Sequence, residues 1–148
     1  MSVTVRPGTP EEARPLLEAS HALMRSLFPA ESNHFLGFDE LAKPDIHFFV
    51  AEEAGYILGC GALAVKDGYG EVKSMFTAEA GRGRGIGASI LDAIEHAARA
   101  EGLPVLRLET GNSLHSAHRL YHRHDFVDRG PFGEYAEDPL SLFMEKRL

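Results

Sequence analysis

Positions 81 to 88 read Gly81, Arg82, Gly83, Arg84, Gly85, Ile86, Gly87, Ala88. Four glycines in so short a window let a backbone approach a ligand without side-chain obstruction. The amides that open a helix carry about half a positive charge, so a strand-to-helix loop of this composition suits a pyrophosphate, and Arg82 and Arg84 add to its pull. The alternative is a glycine-rich turn that only permits tight packing. Gly83, Gly85 and Ala88 also satisfy the G-x-G-x-x-[GA] dinucleotide fingerprint, with Glu109 near the ribose-binding distance. That fingerprint turns directly off its strand, whereas five residues, Ala78 to Arg82, intervene here. Only 39 residues follow Glu109 (148 − 109), too few for the remaining parallel strands of such a domain. The competing spacing is Arg82-x-x-Gly85-x-Gly87, an [RQ]-x-x-G-x-[GA] loop. Histidines at 115, 118, 122 and 124 raise the question of a metal, because His118 and His122 share a helical face. No H-E-x-x-H pattern accompanies them, so they are read as the polar side of a short helix and no metal site is expected. Cys60, within an apolar strand, is read as a small core residue.

The chain has 148 residues, a single-domain length, and a single cysteine that cannot form an internal disulfide, which favours a reducing cytoplasmic setting. Folding should hide roughly 68% of the unfolded surface, enough for one self-sufficient core. Fifteen basic against 22 acidic residues give a formal charge of −7. This balance argues against a nucleic-acid partner, which needs a basic footprint to displace phosphate counterions. It weakly favours cationic ligands. No run approaches the roughly 20 apolar residues of a membrane span, and the first ten residues lack a basic start followed by an apolar stretch.

The elements that must hold the loop can be read from periodicity. A strand is expected over 3–6, then a helix opened by Thr9, Pro10 and Glu12 and carried to Phe28 by Ala13, Leu16, Leu17, Leu23, Met24 and Leu27. Pro15 inside that pattern removes an amide donor and can bend the first turns. An irregular connection over 30–44, with a short helix near 38–42, leads to strands over 46–52, 56–65 and 71–77 joined by turns, an antiparallel meander. The period then changes to 3.6 for a helix over 85–100, stopped by Gly102 and Pro104. Strand 105–109 completes a β-α-β unit, whose strands should be parallel with a right-handed crossover. A helix over 116–124 and strands near 126–129 and 141–145 finish the chain. The fold class expected is a single α/β domain spanning 1–148: a mixed sheet with an antiparallel first half, a central parallel β-α-β unit and helices on both faces.

Two separated motifs on this order of elements carry a resemblance. The Arg82-x-x-Gly85-x-Gly87 loop, and Ala117, Leu120, Tyr121 and Phe126 in an A-x-x-L-Y-x-x-x-G-F frame, resemble the GNAT acetyltransferase superfamily over essentially the whole chain. Asp125 replaces the glycine of that frame, and Asp tolerates a left-handed cap better than most residues. Leu114 stands where many members carry an Asn that contacts CoA, and Asn112 is the substitute. The tail from Gly130 to Tyr135, followed by Asp138 to Ser141, is similar to small bacterial members.

The resemblance implies acetyl-CoA as co-substrate, its pyrophosphate wrapped by Arg82, Gly83, Arg84, Gly85, Ile86, Gly87 and Ala88. It assigns the oxyanion donor to a backbone amide late in the 71–77 strand, for which Phe76, beside Thr77, is chosen. A splay between the parallel strands would let backbone groups pair with the pantetheine arm. An alkyl amine near pKa ~10 is mostly protonated at neutral pH, so a base is required. Glu71 lies eleven positions before Arg82 (82 − 71), the offset of the strand glutamate base in the histone-acetylating branch. Glu109 is the second candidate. Tyr121 matches the tyrosine that protonates the departing sulfur. The implied reaction is direct transfer to a primary amine of a small molecule. A protein lysine or N-terminus, or a non-catalytic acyl-CoA sensor, are the alternatives, and a homodimer is left open.

Overall fold

The computed structural model describes residues 2–148; Met1, which the 1–148 domain expectation includes, lies outside them. In chain order the elements are β1 (Thr4–Pro7), α1 (Arg14–Leu27), α2 (Phe38–Leu41), β2 (Ile46–Glu53), β3 (Tyr56–Val65), β4 (Gly70–Thr77), α3 (Ile86–Ala100), β5 (Val105–Gly111), α4 (His115–Arg123), β6 (Val127–Arg129) and β7 (Ser141–Arg147). The strands form one sheet in the order β1-β2-β3-β4-β5-β7-β6. β1 to β4 are antiparallel neighbours, β4 and β5 run parallel, and β7 enters antiparallel between β5 and β6. No helix among the described residues is long and apolar enough to cross a membrane.

Alternating side chains on β2 explain why helices cover both faces. Phe49 and Ala51 join a core with Ile86, Ile90, Leu91 and Ile94 of α3 and Tyr121 of α4. Phe48 and Val50 point the other way, into a second core with Ala13, Leu17 and Leu41 beneath α1 and α2. A strand buried on both sides reads as an unbroken apolar run, as β3 does.

The first helix begins later than its start signal. Thr9 and Glu12 do exchange the expected bonds, with the Glu12 amide donating to Thr9 Oγ1 at 3.2 Å and the Thr9 amide to Glu12 Oε1 at 3.0 Å. They close a turn, and α1 starts at Arg14. Pro15 therefore sits in the first helical turn, where its missing amide has no intrahelical partner to lose, and it does not break the helix interior.

Two irregularities in β4 determine its outline. Cys60 pairs with Phe76 but Ala62 pairs with Lys73, so Ser74 and Met75 stand opposite Gly61 alone, a β-bulge with Ser74 at φ +57°. On its other edge β4 meets β5 at only two positions, Gly70 with Leu106 and Glu71 with Arg107. Beyond them the strands splay apart, while β4 stays paired to β3 and β5 to β7.

Candidate active site

The splay opens a narrow cleft of about 130 Å3. Its walls include Val72, Lys73, Ser74 and Met75 from β4, Glu109, Thr110 and Gly111 from β5, and Tyr121 from α4. A wider cavity of about 600 Å3 adjoins it, lined by Glu71, Tyr69, Tyr135 and Glu134, with His34, Phe35 and Lys73 common to both.

The glycine loop stands where β4 hands over to α3. Gly83 at φ +76° and Gly85 at φ +74° are exposed, and a Cβ on either would meet nothing, so these glycines serve backbone conformation and not packing. Gly81 and Gly87 are packing glycines: a Cβ would fall 2.7 Å from Ile86 Cδ1 and 3.1 Å from Leu120 Cδ2 respectively. Gly85 occupies the N-cap of α3, which has no side-chain cap and no acidic residue in its first turn, so the leading amides keep their pull on an anion. Ile86 is buried in the core, leaving only its backbone for a ligand. The two arginines differ. Arg84 forms a two-bond pair with Glu53 at the end of β2, at 3.0 and 2.5 Å, which holds that carboxyl below its usual range. Arg82 is exposed and makes no ion pair among the described residues, so it is the one available to a phosphate.

The two carboxylates of the parallel strands have different surroundings. Glu71 is buried, and Oε2 accepts from the Tyr135 hydroxyl at 2.5 Å and from Lys73 Nζ at 3.3 Å. Lys73 spends its other two donors on the Tyr135 oxygen and the His34 carbonyl, each at 3.0 Å. Burial and the neighbouring Glu71 push the Tyr135 hydroxyl far up, so it stays protonated. Glu109 has one partner, Ser141 Oγ, donating at 2.8 Å, and no cation within salt-bridge distance among the described residues. Burial pushes its carboxyl above the usual range, against the pull of Ser141, His34 and Lys73. Tyr121 is buried in the same cleft, its hydroxyl pushed up by burial and by the charge of Glu109, and therefore protonated across the neutral range.

Phe76 and Thr77 do not line the cleft, and the Phe76 amide approaches the sulfur of Cys60 on the β3 side. The bulge accounts for this: with one extra residue in β4, Ser74 and Met75 line the gap. Asn112 braces the tail, its amide donating to Leu140 O at 2.9 Å and its side chain to Pro139 O at 3.2 Å. Asp125 adopts φ +68°, the left-handed cap expected of it. The histidines of α4 make separate contacts: His118 with the Gly111 carbonyl, His122 with Asp128 and His124 with Asp92. No group of three metal-ligating side chains occurs among the described residues.

Sequence reading missed Lys73, although it follows Glu71 by two on one strand face, the spacing that puts side chains together. It also missed Ser141, Glu53 and the tie from Ser32 Oγ to Asp138 at 2.6 Å, which join residues far apart in the chain and leave no local pattern.

The β-bulge and the splay of the parallel pair bound one cleft, and the glycine loop stands at the start of the helix that follows β4. The chain belongs to the Acetyltransferase (GNAT) family, whose sequence profile matches residues 14–126, and acetyl transfer from acetyl-CoA is its chemistry. It is 52% identical over 135 residues to an IAA acetyltransferase of Azospirillum brasilense, covering 90% of this chain and 88% of that protein. The N-acetyltransferase YsnE of Bacillus subtilis is 40% identical, over 84% of this chain and 85% of YsnE. Among solved structures, a candidate acyl-CoA N-acyltransferase of Klebsiella pneumoniae superposes with a TM-score of 0.83 at 32% identity, over 99% of this chain and 97% of that one. A GNAT family acetyltransferase of Elizabethkingia anophelis, solved with acetyl-CoA bound, shares the fold with a TM-score of 0.71 at 21% identity, over 99% and 98%.

Proposed function

We propose that the protein acetylates a primary amine of a small molecule, by direct attack on acetyl-CoA in a ternary complex, in the cytoplasm. The carrying observation is that Glu109 and Tyr121, a carboxylate and a protonated phenol, line one cleft between the splayed strands, with a second cavity adjoining it. The residues present fit acetyl-CoA. The uncapped start of α3 and the free Arg82 suit its pyrophosphate, and the unpaired edges of β4 and β5 suit the amides of its pantetheine arm.

Glu109 is the preferred base, directly or through water, and Glu71 the second choice. A carboxylate raised by burial and held by one serine is better able to take a proton than one already accepting from a lysine and a tyrosine. The ammonium form of the acceptor loses one proton to give the neutral amine, which forms the C–N bond at the thioester carbon. Glu109 releases that first proton to solvent; collapse of the tetrahedral adduct then breaks the C–S bond, Tyr121 protonates the departing sulfur, and the second amine proton leaves through the freed carboxylate and restores the phenol. The products are an N-substituted acetamide, CoA thiol and one proton. The adjoining cavity of about 600 Å3 has the size of a small-molecule site, and the name of the Azospirillum relative points the same way.

The test is release of CoA thiol across a panel of small amines, lysine peptides and N-terminal peptides. Turnover with a small amine is expected. Turnover confined to peptides would move the acceptor to protein, and binding of acetyl-CoA without thiol release would leave a sensor.

A further inference from the structure

Of the eight histidines, His34 alone lines the cleft and the wider cavity, and it lines both. Its segment is tied at three successive residues. Ser32 Oγ donates to Asp138 at 2.6 Å, Asn33 Nδ2 to the Phe28 carbonyl at 3.2 Å, and the His34 carbonyl accepts from Lys73 Nζ at 3.0 Å. The ring stands perpendicular to that of Tyr135, with centroids 5.0 Å apart. Only its two nitrogens are left free. Neither makes a hydrogen bond among the described residues, and the fully covered unpartnered atoms there are His21 Nε2 and Ser74 Oγ, so the half-buried ring keeps its nitrogens open. By contrast His47, His118, His122 and His124 each face a fixed partner. The His34 ring is also within electrostatic reach of Glu109, since its positive charge pulls that carboxyl down against the raising effect of burial. Around it stand Glu71 and Lys73 of β4, Glu109 of β5, Tyr135 and Asp138 of the tail, and Glu40 of α2. Of these side-chain types, imidazole alone has an ordinary pKa near neutrality, which suits it to take up and release a proton within one turnover.

The reaction needs such a group at this place. Glu109 must lose the first ammonium proton before it can take the second, yet a pantetheine arm filling a cleft of about 130 Å3 leaves it little water there. The wider cavity, of about 600 Å3, has room for water. We propose that His34 carries that proton out, taking it from the Glu109 carboxyl, directly or through one water, and releasing it to water in the wider cavity. This rests on the reading that acetyl-CoA lies in the β4–β5 cleft with Glu109 as base. In the step, the Glu109 O–H bond breaks and an N–H bond forms on the unprotonated ring nitrogen. The imidazolium then gives one proton to water. Carboxylate and neutral ring are both restored, and the proton released is the one that appears among the products. His34 acts through Glu109 and makes no bond to the acetyl group.

The test compares wild type, His34→Gln and His34→Phe by CoA thiol release with an amine that turns over. Phenylalanine keeps a ring against Tyr135, so a loss shared by both variants is not one of packing. In both, kcat should fall about 100-fold, the low end for assisted proton transfer, while acetyl-CoA affinity stays unchanged. Imidazole added to the assay should restore part of the lost rate in the variants and leave wild type unaffected. A second readout needs no turnover. In protein labelled with 13C at the glutamate carboxyls, the Glu109 signal, assigned by its absence from Glu109→Gln, should titrate at higher pH in His34→Gln than in wild type, because the neighbouring cation is gone. Wild-type kcat in either variant, a loss that imidazole does not restore, or an unchanged Glu109 midpoint overturns the proposal. If wild type releases no thiol with any amine, the functional reading and the relay fail together; release by wild type without any response to His34 sinks the relay alone.

Discussion

Glu71 and Glu109 occupy neighbouring parallel strands, two positions apart in register relative to the Glu71–Arg107 pair, yet one carboxylate accepts from two side chains and the other from one. Glu71 lies where β4 and β5 still touch, and it ties β4 to the tail through Tyr135 and Lys73. Glu109 lies where the strands have parted, with a serine as its protein partner. Residue type and sheet are shared; what differs is which side of the divergence each occupies. The carboxylate before the split lines the wider cavity and accepts from two side chains, and the one beyond it lines the cleft and accepts from one.

Replacing Glu109 with Gln should have the largest effect. Turnover should fall about 100 to 10,000-fold, with loss of an acid limb that lies above the ordinary carboxylate range. Loss of that limb only in Glu71→Gln would reverse the comparison. Tyr121→Phe should slow turnover toward the ~100-fold end, because a thiolate is a fair leaving group. Burial of the phenol keeps any basic limb out of the neutral range, and a limb near the ordinary tyrosine value of about 10 would contradict it.

Glu71→Gln should act on stability instead. Lys73, whose side chain is 11% exposed, would lose its carboxylate partner, and unfolding in urea should show a loss of about 2–3 kcal/mol. A variant as stable as wild type would show that the network is not an anchor. Arg82→Ala should weaken CoA binding about tenfold and reduce its salt dependence, whereas Arg84→Ala should chiefly release Glu53 and change affinity less. Equal losses in titration calorimetry would erase the distinction between them.

The smallest effect concerns pH. Burial raises the folded pKa of Glu109, so its ionised form is disfavoured in the native state, and this group withdraws stability as pH rises from the unfolded value through the folded one. Glu109→Gln lacks that loss. The melting-temperature difference, variant minus wild type, should therefore grow across that interval and level off above it.

The order of elements and the glycine loop were legible because both are local. Apolar period two becomes 3.6 at the loop, and Gly102 with Pro104 ends α3, so boundaries agreed within a few residues. What escaped was set by register and by distance. The expectation of Phe76 as oxyanion donor takes β4 as a regular strand, whereas the bulge opposite Gly61 places Ser74 and Met75 along the cleft. The offset that points to Glu71 as base carries no information about Tyr135, 64 positions away, whose hydroxyl donates to that carboxylate. Arg84 was grouped with Arg82 because they are neighbours in sequence, while its partner Glu53 lies 31 residues back.

The divergence of β4 from β5 also gives this sheet an edge in its interior. Edge strands elsewhere invite unwanted pairing with other chains, but here the unpaired backbone is walled by α1 and α4 and admits only a thin occupant. An amide-bearing ligand would act as a non-peptide strand that completes the sheet from within. Amide hydrogens of β4 and β5 beyond Glu71 and Arg107 should then exchange freely in the unliganded protein and slow together when CoA is added, while those facing β3 and β7 exchange slowly in both states.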